Sequence, residues 1–216
     1  MFITFEGIEG AGKGTQIKFT QSWCEAQSIE YVSTREPGGT ELGKKLRALL
    51  LDTASVVVPD AEMFLYLADR AQHVCGVIRP ALDAGKVVIC DRFADSNIVY
   101  QGYGRGLDVE ELYSLNQRAV RDVWPDITFL LDLEPEAGLW RARTRNVALG
   151  LVETEGRFEA ENLQFHTRIR NGFLSWAKRH NQRFYIIDAS VDPEGVWKQI
   201  RTVLEKLLKE RYHVEK

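Results

Sequence analysis

Short apolar runs of strand length alternate along the chain with longer segments whose apolar residues recur every three or four positions. The strand-like runs are Phe2–Glu6, Glu30–Thr34, Val87–Asp91, Ile127–Leu133 and Phe184–Asp188. Most are rich in β-branched or aromatic residues and end near Gly, Asp or Arg. Helical spacing puts Leu42, Leu46, Leu49 and Leu50 on one face. It does the same for Val196, Ile200, Val203, Leu204 and Leu207 near the C-terminus. Strand–helix–strand alternation predicts an α/β fold: a five-stranded parallel sheet with helices on both faces. From Arg145 to Arg157 no core face emerges, and Gly150 and Gly156 interrupt the stretch. It reads as a mobile loop, long for a compact domain, and marks a short lid at about 141–158.

Composition narrows the class. With 44% hydrophobic and 27% charged residues, the 216-residue chain can build a core, and a largely disordered chain is excluded. The length favours a single domain over 1–216. Basic and acidic residues nearly balance, 28 against 31, which argues against a basic coat for direct nucleic-acid binding. No apolar run reaches the ~18 residues of a membrane span. Glu6 arrives too early for a signal peptide. Cys24, Cys75 and Cys90 form no C-x-x-C and read as small buried hydrophobes in a reduced, cytoplasmic compartment.

The first strand runs into Gly7-Ile8-Glu9-Gly10-Ala11-Gly12-Lys13-Gly14-Thr15, ahead of a helical pattern. This is G-x-x-x-x-G-K in the strand–loop–helix setting that turns backbone N–H groups toward phosphate oxygens. Lys13 is expected to reach the β- and γ-phosphates of a nucleoside triphosphate. The pattern departs at Gly14, where a Ser or Thr hydroxyl would hold Mg²⁺. Thr15 comes about 100° further round the helix. Magnesium is therefore expected mainly through waters and Asp91, with Thr15 as a second candidate. Glu9 is an acid in a loop built for a polyanion. It faces a sugar hydroxyl of a second substrate or a magnesium ion, or else points into solvent.

Four segments resemble bacterial thymidylate kinases, in the right order and over nearly the whole chain. They are Phe5-Glu6-Gly7-Ile8-Glu9-Gly10-Ala11-Gly12-Lys13, Thr34-Arg35-Glu36-Pro37-Gly38-Gly39-Thr40, the stretch from Tyr66 to His73, and Asp91-Arg92-Phe93 with Ser96, Tyr100 and Gln101-Gly102. The resemblance implies a P-loop NTPase fold, the reaction ATP + dTMP → ADP + dTDP, a need for Mg²⁺, and a homodimer formed by packing helices. Leu112 and Leu115 offer an apolar face for such packing. Because GKGT is also the spelling of adenylate kinases, a kinase for another nucleoside monophosphate stays open, as does a nucleotide sensor that binds without transfer.

The resemblance also implies roles. Gly7, Gly10, Ala11, Gly12, Lys13, Gly14 and Thr15 would hold ATP, with Ser190 near the adenine. Arg92 would clamp the acceptor phosphate, helped by Arg35 and Arg47, and Arg47 alternatively reads as a solvated helix residue. Tyr66 would stack on the base and Arg70 would bond its carbonyl, with Ser96, Asn97 and Gln101 completing the pocket and Tyr100 beneath the sugar. Gly10 stands where type I members place an arginine. A type II enzyme draws its catalytic arginine from the lid, here Arg145 first, then Arg141, which would share a helix face while Arg143 points elsewhere. The lid departs from the pattern in its length and in Gly156 before Arg157-Phe158-Glu159. A phosphate acceptor is already anionic, so no general base is needed. His73, His166, His180 and His213 accordingly show no catalytic spacing.

Overall fold

The computed structural model describes residues 1–211, so His213 lies outside the described residues. Five strands form one parallel sheet in the order β2-β3-β1-β4-β5. They are β1 (Phe2–Glu6), β2 (Tyr31–Arg35), β3 (Val87–Asp91), β4 (Ile127–Asp132) and β5 (Phe184–Asp188). β2 begins one residue later than its apolar run suggests, and β4 ends one residue earlier. β1 lies at the centre and is buried throughout.

Alternate residues of β3 feed two cores, Val87 and Ile89 one of them, Val88 and Cys90 the other. That period of two is what a strand covered on both faces requires. The helices are α1 (Lys13–Ala26), α2 (Glu41–Leu51), α3 (Pro59–His73), α4 (Arg79–Asp83), α5 (Ala94–Asn97), α6 (Val109–Val120), α7 (Pro135–Leu149), α8 (Val152–Glu155), α9 (Leu163–Arg179) and α10 (Pro193–Arg211).

Two departures from regular helix shape the region above the sheet. A π-helical turn, Val74–Ile78, joins α3 to α4. Pro80 follows it, with no N–H to continue an α-helical ladder, and the wider turn absorbs that loss. A second π-helical stretch, Ile98–Gly104, continues α5. Gly104 there lets Phe165 and Ile169 of α9 approach so closely that a Cβ would lie within 2.6 Å of the Ile169 side chain.

The segment expected as a loop is mostly helical. α7 carries Arg145 and continues to Leu149, ending on Gly150 in the left-handed conformation (φ 66°) that favours glycine at a helix C-terminus. After it, α8 packs back on α2: Thr53 N–H donates to Glu153 O at 2.9 Å, and Arg157 N–H donates to Leu51 O at 3.2 Å. Cys75 is exposed, unlike Cys24 and Cys90, which corrects the reading of all three as buried. Leu112 is fully buried in the core and is not on an open face. Among the described residues, no helix is long and apolar enough to cross a membrane.

Candidate active site

The carboxyl ends of β1 and β3 lie side by side, Phe5 opposite Asp91, and the loops that leave them build one cleft. After β1 the chain turns through Gly7, Gly10 and Gly12, all at positive φ (132°, 72° and 95°). At Gly10 glycine is required twice over, because a Cβ there would sit 2.0 Å from Gly138 O on α7. Lys13 opens α1 and folds over the loop, its Nζ donating to Gly7 O at 3.0 Å and Ile8 O at 2.9 Å. Burial and the nearby Arg92 charge draw its pKa down to about 8, against the opposing pull of Asp91, Glu9 and Glu6. Gly14 and Thr15 are exposed on the first turn of α1.

Arg92 follows β3 in the left-handed region, φ 65°. A non-glycine residue there costs on the order of 1–3 kcal/mol, and surrounding contacts must hold it. Its Nη2 donates to Glu9 Oε1 at 2.9 Å and its Nη1 to Ser96 Oγ at 3.0 Å. The guanidinium lies over the Tyr100 ring, 5.0 Å from its centre. Tyr100 Oη also donates to Glu9, at 2.5 Å. Burial would raise the Glu9 pKa, but Arg92, His166 and Lys13 together hold its carboxyl well below the usual range. Glu9 therefore faces the cleft as an anion and does not point into solvent.

The far wall belongs to α3. Tyr66 lines the cleft. Arg70 is 1% exposed and almost fully engaged: it pairs with Glu36 at 2.7 Å and donates to Asn97, Asn116 and the carbonyl of Phe93. Its Nε alone is buried without a partner. Asn97 and Gln101 are bonded to each other, and Gln101 Nε2 donates to Glu62 at 2.7 Å. The 34–40 turn is held from behind. Thr40 caps α2 at Gly43 N–H, and Gly38 N–H donates to Asp69 Oδ1 at 3.3 Å. His73 bridges Glu36 and Thr34, so this histidine is structural.

The lid closes the cleft with opposite charges in contact. Arg145 lines it, donating to Asn146 Oδ1 at 2.9 Å and pairing with Glu159 at 3.3 Å. Arg143 donates to the backbone carbonyl of the same Glu159 and does not line the cleft. Arg141 instead donates to Ala189 O at 3.5 Å, beside Ser190, whose N–H and hydroxyl both bond Asp188. Arg141 and Arg145 thus reach different partners, and only Arg145 lines the cleft. Arg47 donates through two nitrogens to Glu155. Arg35 is exposed and lines both this cleft and the groove beside it, where Gly14, Lys18 and Asp91 meet. The cleft has a cavity volume of about 170 Å³.

Asp91 Oδ1 is buried without a hydrogen-bond partner, between the loop lysine and Arg92. A hard oxygen donor left unsatisfied at this place fits a divalent cation. Thr15 lines neither cleft, so the structure does not bring it together with Asp91.

Several neighbours of the cleft were not among the expected site residues. Phe158 packs edge-on against Tyr100, with ring centres 5.3 Å apart, and walls the cleft. His166 places Nδ1 3.4 Å from Glu9 and Nε2 3.0 Å from Phe158 O. Glu155 and Glu159 contribute carboxylates, and nothing in their local sequence pairs them with residues far away. Glu6 is fully buried, taking hydrogen bonds from Phe93 N–H at 2.8 Å and Ser96 Oγ at 2.5 Å. Its signal was visible: an acid ending an otherwise apolar strand.

Comparison with known proteins agrees with this geometry. A family model described as thymidylate kinase matches residues 5–200. The chain is 56% identical over 201 residues to a thymidylate kinase of Nitratidesulfovibrio vulgaris, covering 93% of this chain and 90% of that one. It is 48% identical over 210 residues to the Gloeobacter violaceus thymidylate kinase, covering 97% of each. The crystal structure of thymidylate kinase from Ehrlichia chaffeensis superposes with a TM-score of 0.76 at 36% identity, covering 95% of this chain and 98% of that one. A match that runs from near the end of β1 into α10, carried by relatives of nearly equal length, means that the chain belongs to the thymidylate kinase family.

Proposed function

We propose that this ATP-dependent nucleoside monophosphate kinase passes the γ-phosphoryl group of ATP to dTMP bound between Arg92, Tyr66 and Tyr100. The observation that carries the reading is Arg92, pinned between Glu9 and Ser96 beside Lys13 at the carboxyl ends of β1 and β3. A guanidinium fixed in a plane suits two oxygens of an acceptor phosphate. Tyr66 offers a face to the base, and the unpartnered Arg70 Nε offers one donor to a base carbonyl.

Phosphoryl transfer asks the chain to align two polyanions and to neutralise charge as it moves. Lys13 and the backbone of Gly7–Gly14 hold the donor phosphates, and Arg92 with Arg35 and Arg47 orients the acceptor. Arg145 meets the charge of the transferring group from the lid, while Arg141 and Ser190 lie toward the donor's base. Glu9 fixes Arg92 and takes the sugar hydroxyl. Asp91 would hold Mg²⁺, which when bound neutralises phosphate charge. The groove between α3 and α6, lined by Phe64, Leu67, Ala68, Ala71 and Leu115, supports a homodimer. The balanced charge fits a cytoplasmic enzyme without a nucleic-acid partner.

An ADP-release assay with ATP, Mg²⁺ and equal concentrations of dTMP, dUMP, dGMP and AMP tests the reading. Turnover fastest with dTMP is expected. Faster turnover of AMP would overturn it, and binding of ATP and dTMP without turnover with any acceptor would make the chain a sensor.

A further inference from the structure

We propose that Glu6 is the positioning residue of the acceptor clamp, holding Arg92 by its backbone through Phe93 N–H and by its side chain through Ser96. The inference rests on the reading of Arg92 as the group that binds the acceptor phosphate.

Arg92 presents a mechanical problem. It sits at φ 65°, where a side chain is unfavourable, at the point where β3 gives way to α5. Something must hold the chain there and also aim a long, flexible guanidinium. Both tasks converge on one carboxyl group. Glu6 Oε1 accepts from the N–H of Phe93, the residue directly after Arg92, at 2.8 Å. Glu6 Oε2 accepts from Ser96 Oγ at 2.5 Å. With the Glu6 carboxyl ionised, the hydroxyl hydrogen is spent on it, and the Ser96 oxygen turns its lone pairs to Arg92 Nη1 at 3.0 Å. Glu9 holds the other end of the same guanidinium. The plane of Arg92 is thus set from two sides, by Glu9 within the cleft and by Glu6 from behind it.

Glu6 is a poor choice for stability alone. It has 0% exposure at the end of the central strand, and burying an acid there costs more than an apolar residue would. Asp95, the next carboxyl, is taken up by Arg183 and the Trp176 indole. Both side-chain hydrogen bonds of Glu6 lead toward Arg92. This accounts for Ser96 as a link in the clamp and not a separate contact to the base.

The test is a double-mutant cycle on the full chain with Glu6→Gln, Ser96→Ala and both together. Calorimetric affinity is measured for dTMP and for thymidine, which lacks the phosphate, alongside kcat and KM. Glu6→Gln and Ser96→Ala should each weaken dTMP about tenfold while changing thymidine affinity less than about twofold. The double variant should lose no more than about twofold beyond the worse single one, because both cut one relay. Losses that multiply, equal losses for thymidine, or unchanged dTMP affinity would each overturn the proposal. Should Glu6→Gln fail to fold, Ser96→Ala decides, since an unchanged dTMP affinity there breaks the relay at its other end. Arg92→Gln separates the two readings. If it leaves dTMP affinity intact, the clamp assignment itself falls; if it weakens dTMP while the relay variants do not, only the role of Glu6 falls.

Discussion

Arg47 and Glu155 meet as a fork across the cleft, Nε to Oε1 and Nη2 to Oε2, each at 3.0 Å. The pair joins α2 to α8, 108 residues apart, and both side chains are largely covered. The hydrogen bonds from Arg47 hold the Glu155 carboxyl below its ordinary range, against the effect of burial. If Arg47 orients the acceptor phosphate as proposed, its guanidinium is already matched to an anion of the lid, and the two anions would compete.

Glu155→Gln removes that competitor's charge. Affinity for dTMP is expected to rise about threefold, because Arg47 no longer gives up a charge-assisted pair, while stability changes by at most about 1 kcal/mol. Titration calorimetry with dTMP reads the first effect and urea unfolding the second. Weaker dTMP binding would show that Glu155 aims Arg47 at the acceptor instead of competing for it.

Arg145 is held at the cleft by Asn146 and Glu159, yet its side chain remains 53% exposed. It carries little of the fold. Arg145→Ala should lower kcat about a hundredfold or more while KM for dTMP moves only a few-fold, the pattern of a contact made chiefly in the transition state. Steady-state kinetics decides. An unchanged kcat would remove Arg145 from the transfer step.

Burial, with Asp95 beside it, pushes the Glu6 carboxyl up to about 7. The folded chain therefore holds this proton more tightly than the unfolded chain, where the group titrates near ~4.3. Stability from Glu6 is greatest at low pH and is lost as pH rises through about 7, a cost on the order of 3 kcal/mol between pH 5 and 8. Asp69, raised to about 6 by burial and Glu36, acts in the same sense. Glu6→Gln cannot titrate, so its unfolding free energy should fall less than that of the parent between pH 5.5 and 8. Identical pH slopes by urea unfolding would count against a shifted Glu6.

Local features were legible in the chain. The glycine loop and Asp91-Arg92 each announce themselves within a few residues, because backbone geometry there demands particular side chains. The central strands β1, β3 and β4 were visible because they are largely buried on both faces. α7 was hidden beyond Arg145 because Val147 and Leu149 stand exposed and no apolar stripe marks the last turns. Gly150 was the available stop signal and was read as part of a loop. Partners distant in sequence stayed hidden for another reason: nothing near Glu155 names Arg47, and nothing near His166 names Glu9.

Gly10 and Gly138 permit the closest approach between the glycine loop and the helix that carries the lid arginines. A Cβ on Gly138 would lie 2.5 Å from Glu9 O and 2.8 Å from the Ile8 side chain; one on Gly10 would lie 2.0 Å from Gly138 O. Both clashes involve backbone, so no rotamer change relieves them. Gly138→Ala must shift α7 away from the loop or displace Glu9, which holds Arg92. Overpacking of this kind costs roughly 1–3 kcal/mol. The functional cost should be larger than stability alone explains, since Arg145 moves with α7 and Glu9 moves with the loop: kcat is expected to fall at least about tenfold in protein that remains folded. Circular dichroism melting beside steady-state kinetics separates the two effects. A Gly138→Ala enzyme with full kcat would show that α7 takes up the methyl without disturbing the loop, and that close packing here does not set the position of Arg145.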